Sequence, residues 1–219
     1  MDWLDHTAEN PNLLERIGRI RRKLRAAQEN WRNKPPAGRT PFGAAVHQYL
    51  LRPPLDEATV GAFETHHCIR LPAGYRAMIR HVGDGGAGPY YGLLPLARWD
   101  WCASGEAPAY PIPRRGYLSS LSPLNPFRPL DQSWQETLVP SEWDAYQGSI
   151  AIADHGGNRC TRLIVSGAAR GRIVNADGYD DPPCFTEDAG FLSWYERWLD
   201  DTLAGNIAAW GRPKLAECV

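Results

Sequence analysis

The sequence predicts an α+β fold, a mostly antiparallel sheet covered by helices, because the spacing of its apolar residues changes twice. Apolar side chains recur every three or four residues near the start of the chain, around Val60 and Met78, and again around Trp198, which is the period of a helix. Between residues 150 and 176 they form three short β-rich runs instead. Helices on both sides of a cluster of short strands are typical of α+β domains. With 219 residues, 43% of them hydrophobic, the chain can form one substantial core.

The first predicted element is an amphipathic helix of about six turns. Asn10 is a suitable N-cap, and Pro11 suits the first helical position. The apolar stripe consists of Leu13, Ile17, Ile20, Leu24, Ala27 and Trp31. The other faces are rich in arginine, and we expect them to be solvated rather than bound to a membrane or a nucleic acid, because one stripe of this width normally packs on its own domain. A Pro-rich break follows, so residues 1–54 are predicted to be this helix and a linker arm.

Two shorter helices are predicted next. Asp56 or Thr59 begins the first of them, which holds Val60. The second spans residues 71–82, with Pro72 in its first turn, where a missing N–H costs nothing. Both helices belong to a predicted domain of residues 55–204.

A glycine-rich turn ends the second of these helices. Gly83, Gly85 and Gly88 spell G-x-G-x-x-G, the spacing of a dinucleotide-binding loop. Such a loop must follow a strand and open a helix, so that phosphate meets free N–H groups. Here the glycines follow a helix, and a strand from Tyr91 to Leu96 is predicted after them. The pattern therefore predicts a structural turn and no nucleotide cofactor.

A long insertion is predicted between this strand and the rest of the sheet. Residues 102–148 contain seven of the 19 prolines, and a loop of that length in a compact domain is either functional or ordered by packing. A short helix is expected near residues 141–146.

An antiparallel meander and a closing helix complete the predicted domain. The strands span residues 150–154, 161–166 and 172–176, separated by glycine-bearing turns, and join residues 91–96 in one sheet. Thr186 is the expected cap of the last helix, and Gly205 its end. Residues 205–219 remain as a C-terminal tail.

The order of these elements resembles the SUKH superfamily, which contains the Smi/Knr cell-wall regulators and many bacterial toxin-immunity proteins. The central match is Leu71-Pro72-x-x-Tyr75, the glycine turn, and Tyr91-Gly92-Leu93-x-Pro95-Leu96. Upstream, the segment from Leu55 to Glu64 is similar to the first core helix of the family with its glutamate. Downstream, the strand series and the closing segment from Phe191 to Leu199 are similar too. The resemblance covers roughly residues 55–204 and implies a SUKH-like α+β fold and a protein-binding role.

Composition and cysteine spacing predict the cellular compartment of the protein. The sequence opens without a basic stretch followed by an apolar one, and no run of about eighteen apolar residues is present, so we expect a cytoplasmic protein without a membrane segment. The five cysteines are widely spaced and include no C-x-x-C pair. That spacing fits neither a disulfide framework nor a zinc site, and it predicts buried, reduced thiols.

Candidate catalytic and metal-binding groups are few. His66, His67 and Cys68 carry metal-ligand atoms, but neighbouring residues on a helix point about 100° apart, and a polar helix end is the preferred interpretation. Asp154 and His155 could act as acid and base, although turn chemistry explains them equally well. The sequence also lacks a G-x-S-x-G elbow and an H-E-x-x-H helix. We therefore expect no enzyme activity, no metal and no cofactor.

Charge and aromatic content point to a protein partner. Residues 131–204 carry 13 acidic and 5 basic side chains, a net charge of −8, which could steer a basic partner such as a nuclease toxin. Folding could instead mix the acidic segment with the basic first half of the chain. Tryptophan is enriched at interface hot spots. The predicted partner-binding residues are Trp99, Trp101, Trp134, Trp143, Asp177, Asp180 and Asp181.

The leading hypothesis is a non-enzymatic immunity protein that neutralises a toxin by binding it, as one half of a toxin-antitoxin pair. A regulatory scaffold of the Smi/Knr type is the alternative. A small-ligand or hydrolytic domain using Asp154 and His155 is a third.

Overall fold

The α+β class predicted from the sequence is confirmed by the computed structural model, which describes residues 11–33, 42–101, 116–126, 144–157, 159–177, 182–206 and 210. Five α-helices are defined in these ranges: α1 (Pro11–Asn33), α2 (Ala44–His47), α3 (Glu57–His67), α4 (Ala73–His81) and α5 (Phe191–Ala204). Two 3₁₀ turns span Leu96–Arg98 and Asp144–Tyr146. The strands are β1 (Ser149–Gly156), β2 (Arg159–Ile164), β3 (Ile173–Asp177) and β4 (Cys184–Phe185).

The four strands form one antiparallel meander in the order β1-β2-β3-β4. The register pairs Ile150 with Leu163 and Leu163 with Ile173, so these three side chains lie on one face of the sheet. All three are fully buried in the main core, which the helices cover. A smaller cluster on the opposite face contains Leu124, Ile164, Ala169 and Val174. The sheet is therefore buried on both faces.

Helix α1 is part of this main core. Its predicted stripe packs inward, with Ile17, Ile20 and Ala27 buried and Leu13, Leu24 and Trp31 partly buried against the same cluster. The helix lies against α5 and α4. The apolar stripe thus covers its own domain, as its width predicts.

The predicted start of α3 and the predicted end of α5 are confirmed. Asp56 caps α3 by accepting a hydrogen bond from the Thr59 N–H at 2.6 Å. The last helix ends at Gly205, which adopts the left-handed conformation that favours glycine. Helix α4 is shorter than predicted, because Pro72 is its N-cap rather than part of its first turn.

The predicted strand from Tyr91 to Leu96 is wrong as a regular strand. The segment runs beside β1, where the Tyr91 N–H donates to the Asp154 carbonyl and the Leu94 N–H to the Ile152 carbonyl, both at 2.9 Å. Only isolated bridges form, because Gly92 has a φ of 112° and Pro95 has no N–H to donate. The fourth strand of the sheet is the two-residue β4 instead.

The predicted cap of the last helix is also wrong. Thr186 directly follows β4, and its N–H donates to the Ile173 carbonyl at 3.0 Å. The helix begins at Phe191, after Gly190. Pairing with the sheet therefore determines the conformation of Thr186, although its residue type favours a cap.

The cysteines differ from the prediction of buried, reduced thiols. Cys160 is a buried, reduced thiol, as predicted, whereas Cys68 is a reduced thiol that is exposed. Cys184 is disulfide-bonded, and its partner lies outside the described residues. No helix in the described part of the chain has the length and apolarity needed to cross a bilayer.

Candidate functional site

The glycine-rich turn is packed against the chain's own backbone. The Gly86 N–H donates to the Leu93 carbonyl at 2.9 Å, and the Ala87 N–H donates to the Leu50 carbonyl at 2.7 Å. A Cβ atom built at Gly86 would lie 2.4 Å from the Leu50 carbonyl oxygen, and the φ of this residue is 104°. Only glycine fits such a close approach at positive φ. The G-x-G-x-x-G pattern therefore serves backbone packing at the end of α4.

A cluster of aromatic rings lies where α3 and the first 3₁₀ turn end. The ring of Trp99 is 4.9 Å from that of His67, 6.4 Å from Phe63 and 6.2 Å from Tyr117, measured between centroids. All four residues are half-buried, and Phe63, Trp99 and Tyr117 pack against the main core. We call Phe63, His67, Trp99 and Tyr117 the aromatic surface.

Backbone hydrogen bonds hold the segment that carries Trp99 against the sheet. The Trp99 N–H donates to the Leu96 carbonyl at 3.1 Å, and its carbonyl accepts from the Ala151 N–H of β1 at 2.8 Å. Burial lowers the pKa of His67, and the neighbouring His66 lowers it further against the opposing effect of Asp100, which favours the neutral ring. A neutral ring of this kind presents little charge to a partner.

A buried glutamate fixes α3 relative to α4. Glu64 accepts a hydrogen bond from the Leu71 N–H at 2.8 Å and is ion-paired with Arg70 at 3.2 Å and Arg76 at 3.4 Å. Its side chain is 2% exposed. Arg76 also pairs with Glu57 at the start of α3. Through these contacts Glu64 orients the helix that carries Phe63 and His67.

Of the other predicted partner-binding residues, the structure describes Trp101 and Asp177. Trp101 is half-buried, and its N–H donates to the Arg98 carbonyl at 2.9 Å. Asp177 ends β3 and Gly178 follows it. Trp134, Trp143, Asp180 and Asp181 lie outside the described residues. The structure thus brings Trp99 together with three rings that were not predicted to bind a partner. Phe63 and His67 are one turn apart on α3, and Trp99 and Tyr117 join them through tertiary packing.

Two acidic residues of the C-terminal segment, Glu196 and Asp200, are paired with α1. Glu196 of α5 is bonded to three cations of α1: Arg19 at 2.6 Å, Arg16 at 3.0 Å and Lys23 at 3.0 Å. Burial alone would raise the pKa of Glu196, but hydrogen bonds from these cations lower it to about 2. Asp200 pairs with Lys23 as well. Folding therefore mixes the basic and acidic halves of the sequence at this interface.

Asp154 and His155 have separate partners. Asp154 accepts a hydrogen bond from the Gly156 N–H at 2.7 Å, as a turn residue does. His155 Nε2 lies 2.6 Å from Thr161 Oγ1, which donates to Asn175 at 3.1 Å. Burial, with a contribution from Arg159, lowers the pKa of His155 to about 3. With His155 5% exposed and Thr161 fully buried, this polar chain is closed to solvent.

Within the described ranges, no group of three or more His, Cys, Asp or Glu side chains is arranged to hold a metal ion. His66 and His67 instead form the polar end of α3, where Cys68 is the C-cap. Comparisons of the chain with models of protein families, with curated proteins and with solved structures gave no match.

Proposed function

We propose that this chain is a non-enzymatic protein-binding module and that it acts as an immunity protein, neutralising a partner toxin by occluding it. The observation that carries the proposal is the aromatic surface, in which three half-buried rings surround the half-buried ring of Trp99. The SUKH resemblance of residues 55–204 supports the same role. In such a mechanism the chain performs no chemistry, and its effect comes from surface complementarity.

The construction of the aromatic surface supports binding at low entropic cost. The backbone N–H and carbonyl of Trp99 are both hydrogen-bonded, and Glu64 fixes helix α3, which carries the rings of Phe63 and His67. Side chains that are already ordered lose little freedom when a partner covers them. Half-buried aromatic anchors are also the residues that dominate binding energy at protein interfaces.

The proposal assigns only part of the acidic charge of residues 131–204 to partner binding. Glu196 and Asp200 are already paired with α1. The proposal keeps the three aspartates selected from the sequence, Asp177, Asp180 and Asp181, as the residues that attract a basic nuclease toxin. We expect these carboxylates to set the association rate and Trp99 to set the dissociation rate.

The proposal is tested by isolating the partner and measuring the complex. A pull-down with the full chain, followed by mass spectrometry, identifies the partner, and the purified pair is then studied by surface plasmon resonance. Trp99→Ala should raise the dissociation rate at least tenfold, whereas Val46→Ala, at a side chain that is 66% exposed outside the aromatic surface, should not. Thermal unfolding of both variants verifies that they fold.

Three results would count against this proposal. If the purified partner keeps its full activity in the complex, the chain is a scaffold of the Smi/Knr type, the alternative function. If Trp99→Ala folds and binds like the unaltered chain, the aromatic surface is not the docking face. Turnover of a substrate that is lost in His155→Ala would favour a hydrolytic domain.

A further inference from the structure

Residues 42–52 lie between the glycine turn and helix α5, and the two ends of this segment are held differently. The Arg52 N–H donates to the Gly85 carbonyl at 3.0 Å, and the Leu50 carbonyl accepts from the Ala87 N–H at 2.7 Å. Residues 50–52 are thus bonded to the turn through their backbone. In the described part of the chain, the backbone hydrogen bonds of residues 42–49 stay local and join them to no other element. We call residues 42–49 the strap.

The side chain of His47 attaches the strap to the rest of the molecule. It is 8% exposed, and its ring lies edge-on to Tyr49 at 5.1 Å and to Trp198 of α5 at 5.9 Å, measured between centroids. Tyr49 stacks on the same tryptophan at 5.8 Å. The imidazole is also hydrogen-bonded to the backbone of Gly88, just after the glycine turn. The strap is therefore held to α5 and to this loop through two rings.

One hydrogen bond within the strap requires a neutral histidine. The Tyr49 N–H donates to His47 Nδ1 at 3.0 Å. Because a backbone N–H cannot accept, Nδ1 must carry a lone pair, and the proton of the neutral ring is on Nε2, which is left to donate to the Gly88 carbonyl. A second proton on the imidazole would place two N–H donors against each other at Nδ1 and break this bond.

The same hydrogen bond lies at a strained turn. Gln48 and Tyr49 have φ values of 48° and 58°, in the left-handed region that is unfavourable for side chains of this size. Such a backbone persists only where surrounding contacts hold it. Loss of the bond to His47 would therefore let two consecutive residues relax, which favours release of the strap.

The surroundings of His47 do not stabilise a positive charge. Its neighbours are the phenol of Tyr49, Trp198 from α5 and Gly88 from the loop, and among the described residues no charged side chain contributes to its pKa. Burial raises the pKa of Tyr49, so that phenol stays neutral in acid. Burial lowers the pKa of His47 from 6.5 to about 4, against the opposing effect of the Gly88 bond. The stability of the closed strap is therefore complete above about pH 6.5 and falls as the pH drops toward 4.

We propose that the strap is an acid-sensitive switch, in which protonation of His47 releases residues 42–49 from α5 and uncovers Tyr49 and Trp198. The protonated ring loses the Tyr49 N–H bond and gains hydration only by leaving its buried position. Residues 50–52 stay bonded to the glycine turn, so the strap opens about a fixed end. This switch is independent of the proposed protein-binding role, and neither test decides the other.

Amide hydrogen exchange of the full chain, measured by mass spectrometry on peptides from residues 42–50 and corrected for the intrinsic rate at each pH, reports the opening of the strap. With the pKa of His47 at about 4 when closed and 6.5 when open, the opening constant should rise about twentyfold from pH 7 to pH 5. In His47→Asn the amide oxygen can replace Nδ1 as acceptor but does not titrate, so the change should be less than about twofold. His66→Asn, at an exposed histidine of α3, is the matched control and should behave like the unaltered chain.

Three results would overturn the switch. Protection of residues 42–50 that equals that of strand β2 at pH 5 would show that acid unfolds the whole domain rather than the strap. A rise in opening that is absent from the unaltered chain, or equally large in a folded His47→Asn variant, would exclude His47 as the proton acceptor. Nitrogen NMR of the unaltered chain needs no variant, and a protonated Nδ1 of His47 at pH 7 would remove the hydrogen bond on which the switch depends.

Discussion

Glu196 should be the most important single charge for stability, and Glu196→Gln is the direct test. The pKa of this carboxyl falls from its ordinary value of 4.5 to about 2 in the folded protein. At about 1.4 kcal/mol for each pH unit, that difference corresponds to about 3 kcal/mol of unfolding free energy at neutral pH. The three cations are partly exposed and therefore screened by solvent, so we expect a loss of about 2 kcal/mol.

The pH dependence gives the prediction its specific signature. Because the folded pKa lies below the unfolded one, the stabilisation is complete above about pH 5 and is lost as pH falls toward 2. Urea unfolding monitored by tryptophan fluorescence at pH 7 and pH 3 measures the free energies. The difference between the unaltered chain and Glu196→Gln should shrink by about half at pH 3. Asp200→Asn, at a carboxylate that is 56% exposed, is the control and should cost less than about 1 kcal/mol.

Two outcomes would refute this reasoning. Glu196→Gln could prove no more costly than Asp200→Asn, which would mean that desolvation cancels the gain from the three cations. The difference could also stay constant between pH 7 and pH 3, in which case packing rather than charge would be responsible.

Three further predictions concern the turn and the surface. Gly86→Ala should destabilise the fold by more than about 2 kcal/mol in urea unfolding, because its Cβ would clash with the Leu50 carbonyl. Gly171 also has a positive φ, but no atom lies within 4 Å of a Cβ built there, so Gly171→Ala should cost about 1 kcal/mol. Equal costs for the two variants would contradict the clash at Gly86. Calorimetric titration with NAD and ATP should give no saturable binding. Saturable binding of either nucleotide that is lost when Gly85 is replaced in a folded variant would show that the glycine turn does bind a nucleotide. Reversing Asp177, Asp180 and Asp181 to lysine should slow association with a basic partner and reduce its salt dependence, with little change in melting temperature; an unchanged association rate at low salt would exclude these residues from docking.

Sequence reasoning succeeded where local pattern and fold agree. The stripe of α1, the Asp56 cap, the Gly205 end and the three long strands follow from periodicity and residue type alone. It failed where tertiary contacts decide the conformation: Thr186 pairs with β3 instead of capping a helix, and β4 has only two residues, too few to produce a pattern.

The candidate site was harder to predict for the same reason. Trp99 could be selected by its residue type, but its ring neighbours come from α3 and from residue 117, which are distant in sequence. The disulfide at Cys184 gave no spacing signal either. The acidic charge of residues 131–204 could be counted, yet only the fold shows that Glu196 is already paired with α1.

The ion pairs between α1 and α5 also affect how the protein is made. Arg16 and Glu196 are 180 residues apart in the chain. At about 5 to 20 residues per second, a ribosome completes α5 roughly 10 to 40 s after α1. During that interval α1 can pack on α4, which follows it more closely in the chain, but its contact with α5 is missing. Helix α1 therefore reaches its complete native packing only after α5 has been made.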